Sequence, residues 1–129
     1  MRLIGAITVL VLAAACSSAP AASTSISVAA REFAFTPTSW TVPAGKVITI
    51  AFQNNGASEH EWVIIKDKVQ LATEADFRED LVYFEVEALP PGQSVTETFT
   101  SPAAGTYQII CALSGHFAGG MKGTLTVAP

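Results

Sequence analysis

The chain has 129 residues, of which 50% are hydrophobic and 14% are charged, and its formal net charge is −4 at pH 7. This length fits one folded domain. The acidic balance argues against nucleic acid as a partner, because phosphate backbones are bound by clustered Lys and Arg side chains.

The start of the chain resembles a bacterial export signal. Arg2 precedes an uncharged run from Leu3 to Ala15, which is short for a transmembrane helix and has the positive start and small final residues of a signal peptide. The segment Leu12-Ala13-Ala14-Ala15-Cys16 resembles a lipobox, in which the cysteine is lipidated and becomes the mature N-terminus. We expect a signal peptide over 1–15 and a lipid on Cys16. Cleavage at an Ala-x-Ala site, giving a soluble product, is the alternative.

These features also predict where the protein works. Export would place the domain in the periplasm or at the outer face of the cytoplasmic membrane, held there by the lipid anchor. Residues 16–25 are rich in Ala, Ser and Pro and carry no charge, which is typical of a flexible tether. The folded domain is then expected over 26–129.

Short apolar segments separated by turn residues make up this domain. Ile26, Val28 and Ala30 alternate as in a half-buried strand, whereas Phe33 and Phe35 lie on the other parity, so we expect either a bulge within 26–35 or burial on both faces. Further strands are predicted at 40–42, 46–54, 62–65, 95–100, 106–110 and 123–127. About seven to eight short strands at this spacing predict an all-β Greek-key sandwich.

Residues 66–89 differ in character from the predicted strands. Thr73 to Asp76 fits a helix-start box, and Phe77, Leu81 and Phe84 recur at helical spacing, so a short helical insertion is predicted near 72–82. After its two lysines, the segment holds the acidic residues Glu74, Asp76, Glu79, Asp80, Glu85 and Glu87 and only one basic residue, Arg78. We interpret it as a solvated helix or loop that lies across the sheet. A docking face for a basic partner is the alternative.

The segment from Cys111 to Met121 holds the residues with the most distinctive chemistry. Cys111, His116 and Met121 stand five residues apart on a predicted loop between the last two strands. A thiolate, an imidazole and a thioether suit copper, and a second imidazole would complete His₂Cys ligation with a weak axial Met. His60, just before the strand at 62–65, is the only other histidine in the sequence.

Each of these residues has an ordinary structural interpretation when it is considered alone. A buried thiol, a methionine that fills a gap in the core and a solvated histidine are all common. If Cys16 is lipidated or removed, however, Cys111 is a single thiol in an exported protein, and metal ligation would protect it. The occurrence of all four side chains at predicted strand ends favours a copper site.

Two stretches resemble the ligand segments of the blue copper proteins, most closely auracyanin and more distantly azurin and plastocyanin. They are Gly105-Thr106-Tyr107 through Cys111-x₄-His116-x₄-Met121-Lys122-Gly123, and Asn54-Asn55-Gly56 through His60-x-Trp62-Val63. The resemblance covers 25–129. It implies a cupredoxin fold and an electron carrier, not an enzyme, with one type 1 copper per chain. Its equatorial ligands would be His60, Cys111 and His116, with Met121 axial.

The resemblance also implies a route for the electron. In this family the loop histidine is exposed within a ring of apolar side chains, which Leu113, Phe117 and Ala118 would supply here around His116. Such small apolar faces suit brief encounters with redox partners, either a cytochrome or a membrane redox complex. We expect the protein to act as a monomer.

The chain departs from the family beside two ligands. The family commonly has Asn after the upstream His and Ser or Thr after the Cys, where this chain has Glu61 and Ala112. Residues that contact ligands tune a metal site, so Glu59, Glu61 and Ala112 are candidates for that role. Two other functions use the same residues. One is a copper storage or delivery module, and the other is a copper enzyme with an open coordination position near Glu59 or Glu61.

Overall fold

The computed structural model describes residues 20–129, which form nine strands. The signal peptide predicted over 1–15 and the lipidation site predicted at Cys16 lie outside this part of the chain. In chain order the strands are β1 (Ser25–Arg31), β2 (Ala34–Thr36), β3 (Ser39–Pro43), β4 (Val47–Asn54), β5 (His60–Ile65), β6 (Val82–Leu89), β7 (Ser94–Thr100), β8 (Gly105–Ile110) and β9 (Lys122–Ala128). Over the same residues, no helix combines the length and the apolar character that a membrane crossing needs.

The strands build two sheets that face each other. One has the order β2-β1-β4-β7 and the other has the order β3-β9-β8-β5-β6. The pairs β1–β4 and β3–β9 are parallel, and the remaining neighbours are antiparallel. The predicted all-β sandwich is confirmed, with nine strands in place of seven to eight.

The main core lies between the sheets and follows the two-residue alternation of the strands. In β4, Ile48, Ile50 and Phe52 are buried, whereas Val47 and Ala51 face outward. Each fully buried side chain of this size stabilises the fold by about 1.5–3 kcal/mol. A one-residue slip of β4 would expose all three, so their burial fixes the register of the strand.

Strand β5 is buried on both faces. Trp62 and Ile64 pack in the core between the sheets, and Val63 and Ile65 pack in a second cluster on the outer face of the five-stranded sheet. The second cluster forms because segment 66–81 folds over that face and covers it. Double burial explains why β5 has a continuous apolar run and no alternation.

The helix predicted near 72–82 is not formed in the described chain. Its place is taken by two isolated 3-10 turns, Glu74–Asp76 and Glu79–Leu81. The predicted start box is present, because the Asp76 carboxylate accepts hydrogen bonds from the backbone N–H (2.8 Å) and hydroxyl (3.0 Å) of Thr73. Phe77, however, is extended, with φ −68° and ψ 136°. The turn therefore does not propagate, and a single turn gains little from the cooperativity that sustains helices.

Strand β6 was not predicted by the sequence pattern. It pairs antiparallel with β5 and forms the edge of the five-stranded sheet. Phe84 stacks on Phe99 of β7 at a ring separation of 4.8 Å, and Glu87 is exposed, as is common for charges on edge strands. Phe84 fits a two-residue period with Val86 as well as the helical period, so the pattern was ambiguous.

The single strand predicted over 26–35 is divided into β1 and β2 by a tight turn at Glu32 and Phe33. Phe33 has φ 61°, the left-handed conformation that is uncommon for a residue with a large side chain. The turn reverses the chain, so β2 returns antiparallel to β1. The off-parity Phe33 in the sequence marks this reversal.

Candidate metal centre

The topology brings the four predicted ligands to one end of the sandwich. His60 is the first residue of β5, and Cys111 immediately follows β8. Because β5 and β8 are antiparallel neighbours, the start of one lies beside the end of the other. Met121 immediately precedes β9, the other neighbour of β8, and His116 lies in the loop between Cys111 and Met121.

The donor atoms of three of these residues surround a common point. His60 Nδ1 lies 3.2 Å from His116 Nδ1, and Cys111 Sγ lies 3.3 Å from His116 Nδ1. One ligand atom from each residue falls within 4.8 Å of the others, and within residues 20–129 no other group of His, Cys, Asp or Glu does so. Donors that share a first-row metal ion at about 2.0–2.3 Å are spaced roughly 3–4 Å apart. The cluster therefore has the spacing of a metal site.

The ligand loop, from Cys111 to Met121, is held by hydrogen bonds between its own backbone groups. Cys111 N–H donates to the Met121 carbonyl (3.2 Å), and Met121 N–H donates to the His116 carbonyl (3.0 Å). His116 N–H in turn donates to the Leu113 carbonyl (3.0 Å). Cys111, Met121 and His60 are fully buried. Of the four ligands, only His116 is partly exposed.

Burial keeps Cys111 and His60 uncharged in the metal-free site. Burial raises the pKa of the Cys111 thiol to about 11, although backbone N–H groups of Glu61 and Leu113 act in the opposite direction. Burial also lowers the pKa of His60, and the neighbouring His116 lowers it further. At neutral pH the cluster therefore holds a protonated thiol and a neutral His60. Binding of a metal would displace the thiol proton.

Glu61, one of the departures from the family pattern, joins the two ligand-bearing segments. Its Oε1 atom accepts a hydrogen bond from Ala112 N–H at 2.8 Å. Because Glu61 follows His60 and Ala112 follows Cys111, this bond ties the start of β5 to the ligand loop. Because Glu61 accepts from a backbone N–H, a Ser or Thr hydroxyl at position 112 is not needed to join the two segments. Burial raises the pKa of Glu61.

Glu74, which was not predicted as a site residue, holds the loop from the other side. Both carboxylate oxygens lie 2.9 Å from the Gly115 nitrogen, and Oε2 also accepts from Ala118 N–H at 3.3 Å. These two N–H groups flank His116. Segment 66–81, the acidic insertion, is therefore hydrogen-bonded directly to the ligand loop.

Glu32 lies beside the buried side of His60, and it was also missed. Its Oε1 atom is 3.6 Å from His60 Nε2, an atom with no hydrogen-bond partner among residues 20–129. Glu32 Oε1 accepts hydrogen bonds from the backbone N–H groups of Ala57 and Ser58. These bonds, of which the one from Ala57 has the largest effect, lower the pKa of Glu32 to about 2. Only the three-dimensional turn at the end of β1 reveals this position.

The predicted apolar ring around His116 differs in one member. Phe117 is only 7% exposed and packs in the second hydrophobic cluster, because segment 66–81 covers it. Phe117 is therefore a core residue and not an exposed part of the ring. Leu113 is half-buried and Ala118 is exposed.

Phe33 takes the place beside His116 that was expected for Phe117. It is 50% exposed, and its ring lies edge-on to the His116 ring at 5.8 Å and 83°. A Cβ atom added at Gly119 would overlap the Phe33 ring, so the absence of a side chain there allows the ring to approach the ligand loop closely. Phe33 is the largest exposed apolar side chain found beside the site.

The carboxylates nearest in sequence to His60 do not join the donor cluster. Glu61 is bonded to Ala112 N–H, and Glu59 is exposed. Neither is among the residues whose ligand atoms converge. An additional carboxylate ligand, which the copper-enzyme hypothesis required, is therefore not provided by either residue.

The donor set fits copper better than zinc. Structural zinc sites use four strong ligands, usually Cys and His, whereas two imidazoles, one thiolate and a weak thioether are typical of blue copper sites. His60 Nδ1 faces the cluster, and Nε2 points away from it toward Glu32. His60 can therefore coordinate through Nδ1 and keep its proton on Nε2.

Comparison with known proteins identifies a family and several relatives that this chain is similar to. The family described as the cupredoxin-like domain matches residues 3–127. Auracyanin-B of Chloroflexus aurantiacus is 36% identical over 126 residues, which cover 85% of this chain and 54% of auracyanin-B. The chain thus spans little more than half the length of that relative, and its match to auracyanin-A of the same organism covers 63% of auracyanin-A.

Solved structures of auracyanins superpose on this chain. The dithionite-reduced auracyanin of Roseiflexus castenholzii has a TM-score of 0.72 at 36% identity and covers 84% of this chain and 100% of its own. Auracyanin A of Chloroflexus aurantiacus, described as a "blue" copper protein, has a TM-score of 0.67 at 31% identity and covers 81% of this chain and 98% of its own.

Proposed function

This chain belongs to the family of cupredoxin-like domains, and on that premise we propose that it is a blue copper protein that carries single electrons and catalyses no reaction. Its residues His60, Cys111, His116 and Met121 are arranged as a type 1 copper site. The observation that carries the proposal is that His116 Nδ1 lies 3.2 Å from His60 Nδ1 and 3.3 Å from the buried Cys111 Sγ.

Copper, when bound, would supply one-electron chemistry between Cu(II) and Cu(I). The role of the chain is to keep the ligands in one place for both states. The backbone bonds between Cys111, His116 and Met121 fix the ligand loop. The bond from Ala112 N–H to Glu61 fixes the distance between this loop and His60. A site that does not rearrange needs little reorganisation energy, so transfer is fast.

We assign His116 as the point where the electron enters and leaves. It is the one ligand with partial exposure, and Phe33 lies beside it as an apolar contact. Small apolar contacts suit short-lived complexes. The partners we propose are redox proteins, either a cytochrome or a membrane redox complex, met by a monomer of this chain.

The alternative functions have less support. A storage or delivery module needs a site from which the ion exchanges easily, whereas Cys111 and Met121 are fully buried here. A copper enzyme needs an open position, and the carboxylates that were candidates to complete one, Glu59 and Glu61, stand outside the donor cluster. We therefore favour the carrier.

Export and anchoring are a further part of the proposal and rest on the sequence. The signal-like run over 1–15 and the lipobox-like segment ending at Cys16 support a lipoprotein in the periplasm or on the outer face of the cytoplasmic membrane. Fractionation of producing cells tests this. Wild type should be recovered with membranes and Cys16→Ser in the soluble fraction, whereas wild type in the soluble fraction would instead support Ala-x-Ala cleavage.

The absorption and EPR spectra of the purified protein with Cu(II) test the central proposal. We expect an intense blue thiolate-to-copper band with small copper hyperfine splitting, both lost in Cys111→Ser. A pale protein with ordinary tetragonal copper signals would overturn the carrier function and return attention to delivery or catalysis.

A further inference from the structure

The side of His60 that faces away from the donor cluster meets a carboxylate. Its Nε2 atom is fully buried and has no hydrogen-bond partner among residues 20–129. The nearest charged atom is Glu32 Oε1, at 3.6 Å. This distance is just beyond that of a hydrogen bond, so the pair is poised to form one.

Glu32 is held in this position by the turn that precedes β5. Ala57 N–H and Ser58 N–H donate to Oε1, and the Ser58 hydroxyl donates to the same atom at 3.3 Å. Three donors on one oxygen fix the carboxylate against the turn. Since Glu32 itself follows β1, the turn joins the end of β1 to the start of β5 at the metal end of the sandwich.

Gly56 leaves the space that lets the two groups approach. A Cβ atom added at this residue would lie 2.6 Å from Glu32 Oε1 and 2.6 Å from His60 Nε2. Both distances are well below van der Waals contact. Any side chain at this position would have to separate the carboxylate from the imidazole.

We propose that Glu32 is a positioning residue for the metal ligand His60, accepting a hydrogen bond from Nε2–H and so leaving Nδ1 free to hold copper. This inference rests on the proposed function. A carboxylate on the far nitrogen fixes the tautomer and the ring orientation and makes the imidazole a stronger donor. It also adds negative charge near the ion, which stabilises Cu(II) more than Cu(I). Glu32 therefore lowers the reduction potential of the site.

The test compares reduction potentials of copper-loaded wild type, Glu32→Gln and Gly56→Ala. Glu32→Gln keeps an oxygen that can accept from Ala57 and Ser58 but removes the charge. The expected loss of Cu(II) affinity relative to Cu(I) is about tenfold, the lower end for partners of metal ligands, because Glu32 is 43% exposed and partly screened by solvent. A tenfold change corresponds to a rise of about 59 mV for one electron.

Gly56→Ala tests the geometry with the charge retained. It should raise the potential in the same direction, because the new methyl group moves the carboxylate away from His60. Asp67→Asn is the matched control. It removes one exposed carboxylate beyond the opposite end of β5, about 20 Å from His60 at the usual rise per residue, and should leave the potential unchanged.

The outcomes separate this inference from the function on which it rests. Glu32→Gln and Gly56→Ala potentials that match Asp67→Asn, or that fall, overturn the role of Glu32 in a protein that is still blue. A wild type without the blue band overturns the proposed function itself. If Glu32→Gln does not fold, Gly56→Ala decides alone, with Cu(II) and Cu(I) affinities measured by competition as a second readout.

Discussion

Both carboxylate oxygens of Glu74 lie 2.9 Å from the backbone nitrogen of Gly115, the residue before the partly exposed ligand His116. A side chain from the acidic insertion thus closes the outer side of the ligand loop. The insertion packs on the sheet through Leu71, which shares the second hydrophobic cluster with Phe117. Through Glu74 it also restrains the loop that carries His116.

Loss of this contact should loosen the ligand loop more than the fold. In Glu74→Ala the N–H groups of Gly115 and Ala118 lose their acceptor, and we expect their hydrogen exchange to accelerate. The stability loss should be about 1 kcal/mol, the typical net value of one hydrogen bond. Glu79→Ala in the same insertion is the control. Equal exchange in the two variants would show that Glu74 does not restrain the loop.

Glu61 should affect stability in a pH-dependent way. Burial holds its pKa above the ordinary value in the folded protein, so the folded state binds more protons than the unfolded state just above pH 4.3. The stability of wild type relative to Glu61→Gln must then fall as pH rises through that interval. Urea unfolding of the metal-free proteins at pH 4 and pH 7 measures this, and a relative gain for wild type at pH 7 would contradict it.

Removal of the Glu61 side chain should have a different effect from its neutralisation. Glu61→Ala leaves Ala112 N–H without its acceptor. Relative to Glu61→Gln this should cost about 1 kcal/mol at any pH, because neither variant titrates at this position. Glu61→Gln keeps an oxygen at that position and should avoid this cost. Equal stability of Glu61→Ala and Glu61→Gln would show that the amide oxygen does not replace the carboxylate as the acceptor for Ala112 N–H.

The Phe33 ring should limit access to His116. Phe33→Ala removes the ring, and Gly119→Ala should displace it, because the added methyl group overlaps it. In both variants the metal-free protein should show faster modification of His116 by diethyl pyrocarbonate, followed by mass spectrometry. The fully buried His60 is the internal control. Unchanged His116 rates in both variants would show that the ring does not shield the ligand.

Removal of copper should destabilise the protein but leave the sandwich intact. The loop bonds between Cys111, His116 and Met121 involve only backbone, so they do not require the ion. At a free copper concentration 100 times the Kd, binding adds about 2.7 kcal/mol, which corresponds to a Tm shift on the order of 10 °C. Thermal unfolding before and after chelation measures the shift. Loss of the β-sheet circular dichroism on chelation would contradict a preformed site.

The sequence predicted the ligands because their signal is local and chemically rare. Cys111, His116 and Met121 are evenly spaced on one loop, and the chain offers only one further histidine. The cluster of His60, Cys111 and His116 confirms that prediction. Glu32 and Glu74 could not be found in this way, because one ordinary glutamate contacts the site through a turn and the other through an insertion.

The errors in the fold have a similar cause. Phe84 satisfied both the helical and the strand period, and pairing with β5 decided between them. Phe117 was expected to be exposed because the family resemblance implied an apolar ring around His116, yet it packs with Leu71 and Phe77, which lie far earlier in the sequence. Long-range packing, and not local preference, decided each case.

The direction of β1 determines how an anchored molecule would stand on a membrane. The strand ends beside the metal site, where Glu32 meets His60, and its seven residues from Ser25 extend about 20 Å away from that end. A tether before Ser25 would therefore leave from the opposite pole of the domain. With a lipid on Cys16, the copper end would point outward into the aqueous phase, ready for a mobile partner, and to reach a partner in the same membrane the domain would have to tip over on its tether.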